Sequence, residues 1–103
     1  NKPLTIFGDG NAIRDFIHVD DVVDGIILSI ESKSGIYNIA GGTGISINNL
    51  AKLMIQLSDN TSKIIHKSAR KEEILYSVAD IAKSQKELGF NSKISLNDGL
   101  KLL

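Results

Sequence analysis

Short β-type runs alternate with amphipathic helical runs along all 103 residues, and this alternation restricts the fold more than any other feature of the chain. Strands that alternate with helices are typical of α/β proteins, because helices pack on the faces of a sheet. We therefore predict an α/β fold in which a small mixed sheet of short strands packs with about four helices, as a single domain over residues 1–103. The runs that favour strands are residues 4–7, 16–19, 36–40, 63–66 and 74–78.

Local signals define the first strands and the first helix. The glycine-rich turn after Phe7 predicts a hairpin between the first two strand-like runs. Asp20 or Asp21 is expected to cap the helix that follows, and this helix should stop before Gly35. Its apolar residues share one face at helical spacing. They are Val22, Val23, Ile26, Ile27 and Ile30.

The later helices carry clearer end signals. Ser46 is expected to cap a second helix, and a third should run from Asp80 to Gly89, where glycine permits a left-handed stop. Ser95 with Asp98 forms a variant of the capping box that opens a last helix. The buried stripe of the second helix is expected to include Leu50, Leu53, Met54 and Leu57.

Composition excludes several classes of function. The net charge of zero gives no electrostatic basis for binding nucleic acid or a membrane surface. The absence of cysteine excludes disulfides and fits a reducing compartment, so a cytoplasmic location is expected. With two histidines and no cysteine, no metal site is expected. The chain has no initiator methionine, and we expect it to be a piece of a longer protein.

Three motifs favour structural explanations over functional ones. The Gly41–Gly44 cluster lies between a strand and a helix, but its spacing fits neither the dinucleotide fingerprint nor the P-loop, so a tight connection is the better interpretation. Asp20, Asp24 and Glu31 imitate parts of a calcium loop, but an apolar valine occupies a ligand position. His18 and His66 lack a partner at catalytic spacing. No catalytic residue is therefore expected in this chain.

The two arginines are the stronger candidates, because the other ten basic residues are all lysine. Arginine holds phosphate through a planar, bidentate fork, whereas lysine offers a mobile point charge. Arg14 and Arg70 could together clamp a diphosphate. The structural alternatives are an ion pair of Arg14 with Asp9 or Asp15, and simple solvent exposure of Arg70 in a mixed-charge loop.

Several segments in register resemble the C-terminal part of an NAD-dependent sugar-nucleotide epimerase/dehydratase of the extended short-chain dehydrogenase type. The UDP-glucose 4-epimerase-like enzymes are the most similar subgroup. The resemblance covers nearly the whole chain. It is carried by Pro3–Gly10, by Arg14–Val19 with Asp21 and Val22, by Tyr37–Ile39 with the glycines after it, by Ser46 and Leu50, by Val78–Ile81 with Lys83, and by Leu88–Phe90.

The resemblance implies a role for individual residues. Arg14 and Arg70 match positions that contact the diphosphate of the substrate, and Glu73 matches an acidic residue that hydrogen-bonds the ribose. Thr5 and Phe7 match positions whose backbone groups meet a pyrimidine. Residues two apart share a side of a strand, so this last pair makes physical sense.

The resemblance also implies which parts of the enzyme are missing. The family's glycine-rich NAD loop and its Tyr-x-x-x-Lys pair do not occur in these 103 residues, where Gly41 stands four after Tyr37 and Asp80 four after Tyr76. Hydride transfer needs a nicotinamide and a base for the hydroxyl proton. We therefore expect a nucleotide-sugar-binding domain that is inactive alone and binds no cofactor itself, whereas its parent enzyme uses NAD in an absent Rossmann domain.

The expected partners follow from this interpretation. They are a nucleotide-diphosphate sugar, with a UDP-sugar favoured, and the absent Rossmann domain. Surface that normally faces that domain would be exposed, which predicts self-association through an apolar patch. Alternatives from other classes are a free-standing, non-catalytic binding or interaction module of the same architecture and a truncated, non-functional product. The base, the sugar, and epimerisation as opposed to dehydration depend on residues outside this chain.

Overall fold

The computed structural model describes residues 2–32, 34–58, 61–71 and 73–103, and it confirms the α/β class. Short strands and four helices follow one another in these ranges. The strands are β1 (Leu4–Phe7), β2 (Ile13–Arg14), β3 (Ile45–Ser46), β4 (Ile64–Lys67) and β5 (Tyr76–Ser77). The helices are α1 (Val19–Ile30), α2 (Ile47–Leu57), α3 (Ala82–Leu88) and α4 (Leu96–Lys101).

The chain divides into two compact units. The first unit combines the segment that ends at Arg14 with Ile45–Ser77, and the second combines Asp15–Gly44 with Val78–Leu103. Each unit is close to the usual lower size of an independent domain, about 50 residues. The expectation of a single domain over residues 1–103 stays a prediction.

The first unit contains two small sheets in place of the single mixed sheet expected. β1 and β4 form a parallel pair, with Leu4 opposite Ile64 and Phe7 opposite Lys67. In the second sheet, β2 is central, antiparallel to β3 and parallel to β5. α2 packs on β1. The buried apolar residues of this unit are Ile6, Ala12 and Ala51.

The predicted hairpin is wrong, because β1 pairs with β4 and the second strand is Ile13–Arg14, not residues 16–19. The turn between β1 and β2 is instead fixed to the start of α2. The Asn48 side-chain amide donates to the Asp9 carbonyl at 2.9 Å, and the Asn48 backbone N–H donates to the Gly10 carbonyl at 2.9 Å. Gly8 and Gly10 both have positive φ, which permits this close path.

In the second unit, α1 is anchored by a buried carboxylate. Asp21 is 1% exposed, and its two oxygens accept the backbone N–H groups of Lys93 and Ile94, each at 3.0 Å. The expected cap at Asp20 or Asp21 is wrong, because His18 caps the helix through Nδ1, which accepts the Asp20 N–H. The buried apolar residues of this unit are Ile81, Leu88 and Phe90.

The apolar face predicted for α1 is mostly exposed. We call the exposed apolar residues of this helix the α1 apolar face; they are Val19, Val23, Ile26, Ile27 and Ile30. The buried residues of the helix are Asp21 and Gly25, and Gly25 lies so close to Ile39 that a Cβ there would come within 2.8 Å of that side chain. Each side chain of the α1 apolar face is between 46% and 74% exposed.

The starts of α2 and α4 and the end of α3 were predicted correctly, whereas α3 begins at Ala82 and not at Asp80, and one strand was not predicted correctly. Ser46 and Ser95 cap α2 and α4 through their hydroxyls, and Gly89 ends α3 in the left-handed conformation. The run 36–40 forms no strand, because side chains bind its carbonyls: Ser84 donates to Asn38, and Lys83 Nζ donates to Ile36 at 2.9 Å. The expected stop of the first helix at residues 33–35 lies partly outside the described residues, and α1 ends at Ile30.

Candidate functional site

All five residues predicted to bind substrate belong to the first unit. Thr5 and Phe7 lie on β1, Arg14 ends β2, and Arg70 and Glu73 lie between β4 and β5. β1 and β4 are parallel and in register at Phe7 and Lys67, so their carboxyl ends lie side by side. This register brings the loop after β4 next to the end of β1.

The Arg70 guanidinium lies over the Phe7 ring, with Cζ 4.3 Å from the ring centroid. This distance is typical of a cation–π contact. Phe7 is 40% exposed, so the ring forms part of the surface at this point. Phe7 at the end of β1 and Arg70 in the loop after β4 therefore lie in contact at the protein surface.

The loop also contacts the turn that starts at Gly8. The Gly8 N–H donates to the Lys67 carbonyl at 2.7 Å, and His66 Nδ1 lies 2.9 Å from the Gly8 carbonyl. A Cβ on Gly8 would stand 3.4 Å from Glu73 Oε2 and 3.4 Å from the Ala69 side chain. Phe7, Arg70 and Glu73 are therefore gathered around one glycine.

The outer edge of β1 offers backbone groups. The N–H groups of Leu4 and Gly8 donate to carbonyls at the two ends of β4, at 2.8 and 2.7 Å. Because backbone groups alternate in direction along a strand, those of Thr5 and Phe7 point away from β4. No strand of the described residues pairs with that edge of β1. The edge can accept hydrogen bonds from a planar ligand or donate to it.

Arg14 is half-buried, and its Nη1 donates to the Ile13 carbonyl at 2.9 Å. The ion pair considered for it does not form, because both candidate acids bind backbone amides instead. Asp9 accepts the Asn11 N–H, and Asp15 accepts the N–H groups of Gly41 and Gly42 at 3.0 and 2.8 Å. Neither arginine has a carboxylate partner among the described residues.

The structure gathers part of the predicted site. Phe7, Arg70 and Glu73 lie together, and Thr5 shares their strand. Arg14 lies in the other sheet of the same unit, and no hydrogen bond or ion pair joins it to the other four in the described part of the chain. The clamp formed by both arginines stays a prediction. The contribution of His66 to this turn was missed, because only the parallel register reveals it.

Two amides of the glycine cluster are not free to bind a phosphate. The amides of Gly41 and Gly42 are bound by the Asp15 carboxylate, which supports the interpretation as a tight connection. These residues therefore do not fit the NAD loop of a dinucleotide-binding enzyme. The described residues contain no cluster of three or more side chains able to hold a metal ion. In the same residues, no helix has the length and apolar character required to cross a membrane.

Comparison with known proteins shows the family. The model of the GDP-mannose 4,6-dehydratase family matches residues 1–103. A UDP-glucuronate 4-epimerase from Thermodesulfobacterium geofontis is 36% identical over 102 residues, which are 97% of this chain and 32% of the relative. The chain therefore belongs to the family of GDP-mannose 4,6-dehydratase, and the resemblance to sugar-nucleotide epimerases and dehydratases is confirmed.

Solved structures agree with this assignment. The UDP-glucose 4-epimerase from Thermotoga maritima, solved with UDP-glucose, is 37% identical with a TM-score of 0.93, and the match covers 97% of this chain and 33% of that one. The UDP-glucuronic acid 4-epimerase from Bacillus cereus, solved with UDP-glucuronic acid and NAD, is 33% identical with a TM-score of 0.86 and coverage of 96% and 33%. The chain thus spans about a third of the length of its relatives.

Proposed function

We propose that this chain is the nucleotide-sugar-binding part of an NAD-dependent epimerase or dehydratase similar to UDP-glucose 4-epimerase. The observation that carries the proposal is a pair of arginines, in one compact unit, that no carboxylate of the described residues neutralises. A half-buried arginine without an acidic partner is suited to an anionic ligand. A diphosphate offers the charge and the paired oxygens that two guanidinium groups can bind.

The other predicted residues extend the proposal along the ligand. The free edge of β1 at Thr5 and Phe7 would hydrogen-bond the rim of a pyrimidine, and Glu73 would bind the ribose hydroxyls next to it. The relatives solved with UDP-glucose or UDP-glucuronic acid support a UDP-sugar as the ligand. Binding energy collected at the nucleotide would then orient a sugar that reacts elsewhere.

We also propose that these 103 residues do not catalyse the reaction alone. When bound in the parent, NAD would accept and return a hydride at the sugar carbon. The Tyr-x-x-x-Lys pair is missing from the sequence, and the amides of Gly41 and Gly42 are bound by the Asp15 carboxylate. The role of this chain is to bind and orient the nucleotide.

Titration calorimetry of the chain with UDP tests the binding site. Loss of one charge-assisted hydrogen bond costs about 1.5–3 kcal/mol, so Arg14→Ala and Arg70→Ala should each weaken binding roughly ten- to 150-fold. Lys71→Ala is the matched control, because Lys71 is an exposed cation next to Arg70 in the same loop. Unchanged affinity in both arginine variants, or an equal loss in the lysine variant, would contradict the proposal.

A further inference from the structure

The sequence contains three Asp-Gly pairs, and the structure gives one of them surroundings that the other two lack. Asp24-Gly25 lies within α1 and Asp98-Gly99 within α4, whereas Asp9-Gly10 lies in the turn between β1 and β2. Aspartate is most prone to isomerise before glycine, because glycine has no side chain to hinder attack of its amide nitrogen on the aspartate carboxyl carbon. The fate of each pair therefore depends on the backbone around it.

The amide nitrogens of the three glycines differ in their hydrogen bonds. The Gly99 N–H donates to the Ser95 carbonyl at 2.8 Å, and Gly25, inside α1, takes part in the hydrogen-bond ladder of the helix. In the described residues, the Gly10 N–H has no hydrogen-bond acceptor. Attack by Gly25 or Gly99 requires the local helix to open first, whereas Gly10 lies outside any helix.

The turn also directs the Asp9 carboxyl group toward the Gly10 nitrogen. Oδ1 of the exposed Asp9 accepts the Asn11 N–H at 2.9 Å, and the ring closed by this hydrogen bond passes through the Gly10 nitrogen. In addition, the Asn48 side-chain amide donates to the Asp9 carbonyl at 2.9 Å. A donor at this carbonyl stabilises the negative charge that develops on the peptide group when its nitrogen loses a proton. Gly10 is buried, but ring closure joins neighbouring groups and needs no access from solvent.

From these contacts we propose that Asp9-Gly10 is a site of spontaneous modification, at which aspartate converts to isoaspartate. The Gly10 nitrogen loses its proton and bonds to the Asp9 carboxyl carbon, and the hydroxyl of the neutral carboxyl group leaves with a proton as water. Water then adds to the backbone carbonyl carbon of the five-membered imide and breaks its bond to the Gly10 nitrogen. The main chain now continues through the former side-chain carbonyl, and the mass is unchanged.

Isoaspartate changes the turn as well as its own residue. It adds one methylene to the main chain between β1 and β2, where a Cβ on Gly10 would already come within 2.0 Å of Asn48 Oδ1. The hydrogen bonds from Asn48 to the Asp9 and Gly10 carbonyls depend on the present spacing of these two carbonyls. We expect the modified chain to lose these bonds and to unfold at a lower urea concentration.

Peptide mapping after storage in mildly acidic buffer tests the proposal. Trypsin separates the three pairs into three peptides, which span residues 1–14, 15–33 and 94–101. An isoaspartate-specific methyltransferase and electron-transfer fragmentation then locate and count the product in each peptide. In the folded chain, isoaspartate should form at Asp9 roughly ten times faster than at Asp24 or Asp98, a difference of about 1.4 kcal/mol in the barrier.

Storage in guanidinium chloride is the control for sequence alone, because it removes the helices and the turn. The three rates should converge there, and the rate at Asp9 should be no higher than in the folded chain. Asp9→Glu is the matched variant, since it keeps the charge but cannot close the five-membered ring, and its urea midpoint should not change on storage. A slower reaction at Asp9 in the folded chain than in denaturant, or equal rates at the three pairs in the folded chain, would overturn the proposal.

Discussion

At the scale of single residues, Asp15 and Asp21, which follow Arg14 in the sequence, bind backbone amides and not the arginine. Asp15 accepts the N–H groups of Gly41 and Gly42, and Asp21 accepts those of two consecutive residues in the loop before α4. A carboxylate that accepts two N–H groups gives both donors a partner, and these hydrogen bonds stabilise its negative charge. The acids of this segment therefore maintain the fold of the second unit, while Arg14 keeps no carboxylate partner in the described residues.

Asp21→Asn tests the structural role of the buried carboxylate. The asparagine oxygen can still accept one of the two backbone N–H groups. Its NH₂ group would face the other backbone N–H, so neither of these two donors would have an acceptor. We expect the free energy of unfolding to fall by about 1.5–3 kcal/mol, measured by urea denaturation monitored by circular dichroism.

Asp24→Asn is the control, because Asp24 is an exposed acid on the same helix. It should change the unfolding free energy by less than about 0.5 kcal/mol. If both variants lose the same stability, the effect comes from helix charge and not from the hydrogen bonds of Asp21.

At the scale of elements, two glycines with similar backbone angles separate backbone strain from steric contact. Gly10 has φ +78° and a Cβ there would come within 2.0 Å of Asn48 Oδ1, whereas Gly89 has φ +66° and nothing within 4 Å. Gly89→Ala should lower the unfolding free energy by about 1–2 kcal/mol through backbone strain alone. Gly10→Ala should lower it further, because Asn48 must give up its hydrogen bond to Asp9.

The double variant Gly10→Ala with Asn48→Ala separates the two contributions to that loss. Removing the Asn48 side chain removes the steric clash and leaves only strain and the lost hydrogen bond. In a double-mutant cycle measured by denaturation, the two substitutions should cost less together than the sum of their single effects. Additive costs would show that the cost of Gly10→Ala does not come from a clash with the Asn48 side chain.

The starts of α2 and α4 and the end of α3 could be predicted from sequence, because their determinants are local. Ser46 and Ser95 each bind an N–H three residues ahead, and Gly89 supplies its own left-handed angle, so a short window contains the whole signal. Strand pairing could not be predicted in this way. β1 pairs with β4 across the whole of α1 and α2, and no local pattern distinguishes this partner from the next strand-like run.

The candidate site likewise has residues that could be identified from sequence and contacts that could not. Arg14 and Arg70 attract attention from sequence, because arginine is scarce in this chain. The contact of Arg70 with Phe7 depends on the parallel register of β1 and β4, which the sequence does not specify. Likewise, the free edge of β1 could be recognised only after its partner on the other edge was known.

At the scale of the whole molecule, the α1 apolar face predicts association. Four of its residues recur at spacings of four, three and four along the helix: Val19, Val23, Ile26 and Ile30. This spacing places them in one row, and such apolar rows form the seam where two helices pack together. All are at least 46% exposed, so the seam lies open to solvent. We expect the molar mass measured by static light scattering to rise with protein concentration.

Ile26→Glu with Ile30→Glu should reduce this association, because two charges would be desolvated in the contact. Met54→Glu is the control, since Met54 is 41% exposed but lies on α2. A constant monomeric mass up to millimolar concentration, or equal behaviour of both variants, would contradict association through α1.

The charges beside the α1 apolar face determine how this association should respond to salt. Asp20 and Asp24 lie on the helix and Glu31 follows it directly, and the helix itself carries no basic residue. Two copies that meet through this face bring like charges together, which opposes the gain from apolar burial. Added salt screens that repulsion, with a Debye length that falls from about 30 Å at 0.01 M to about 8 Å at 0.15 M, while the apolar contribution remains. Association should therefore strengthen as sodium chloride rises over this range, and weakening would show that opposite charges hold the copies together.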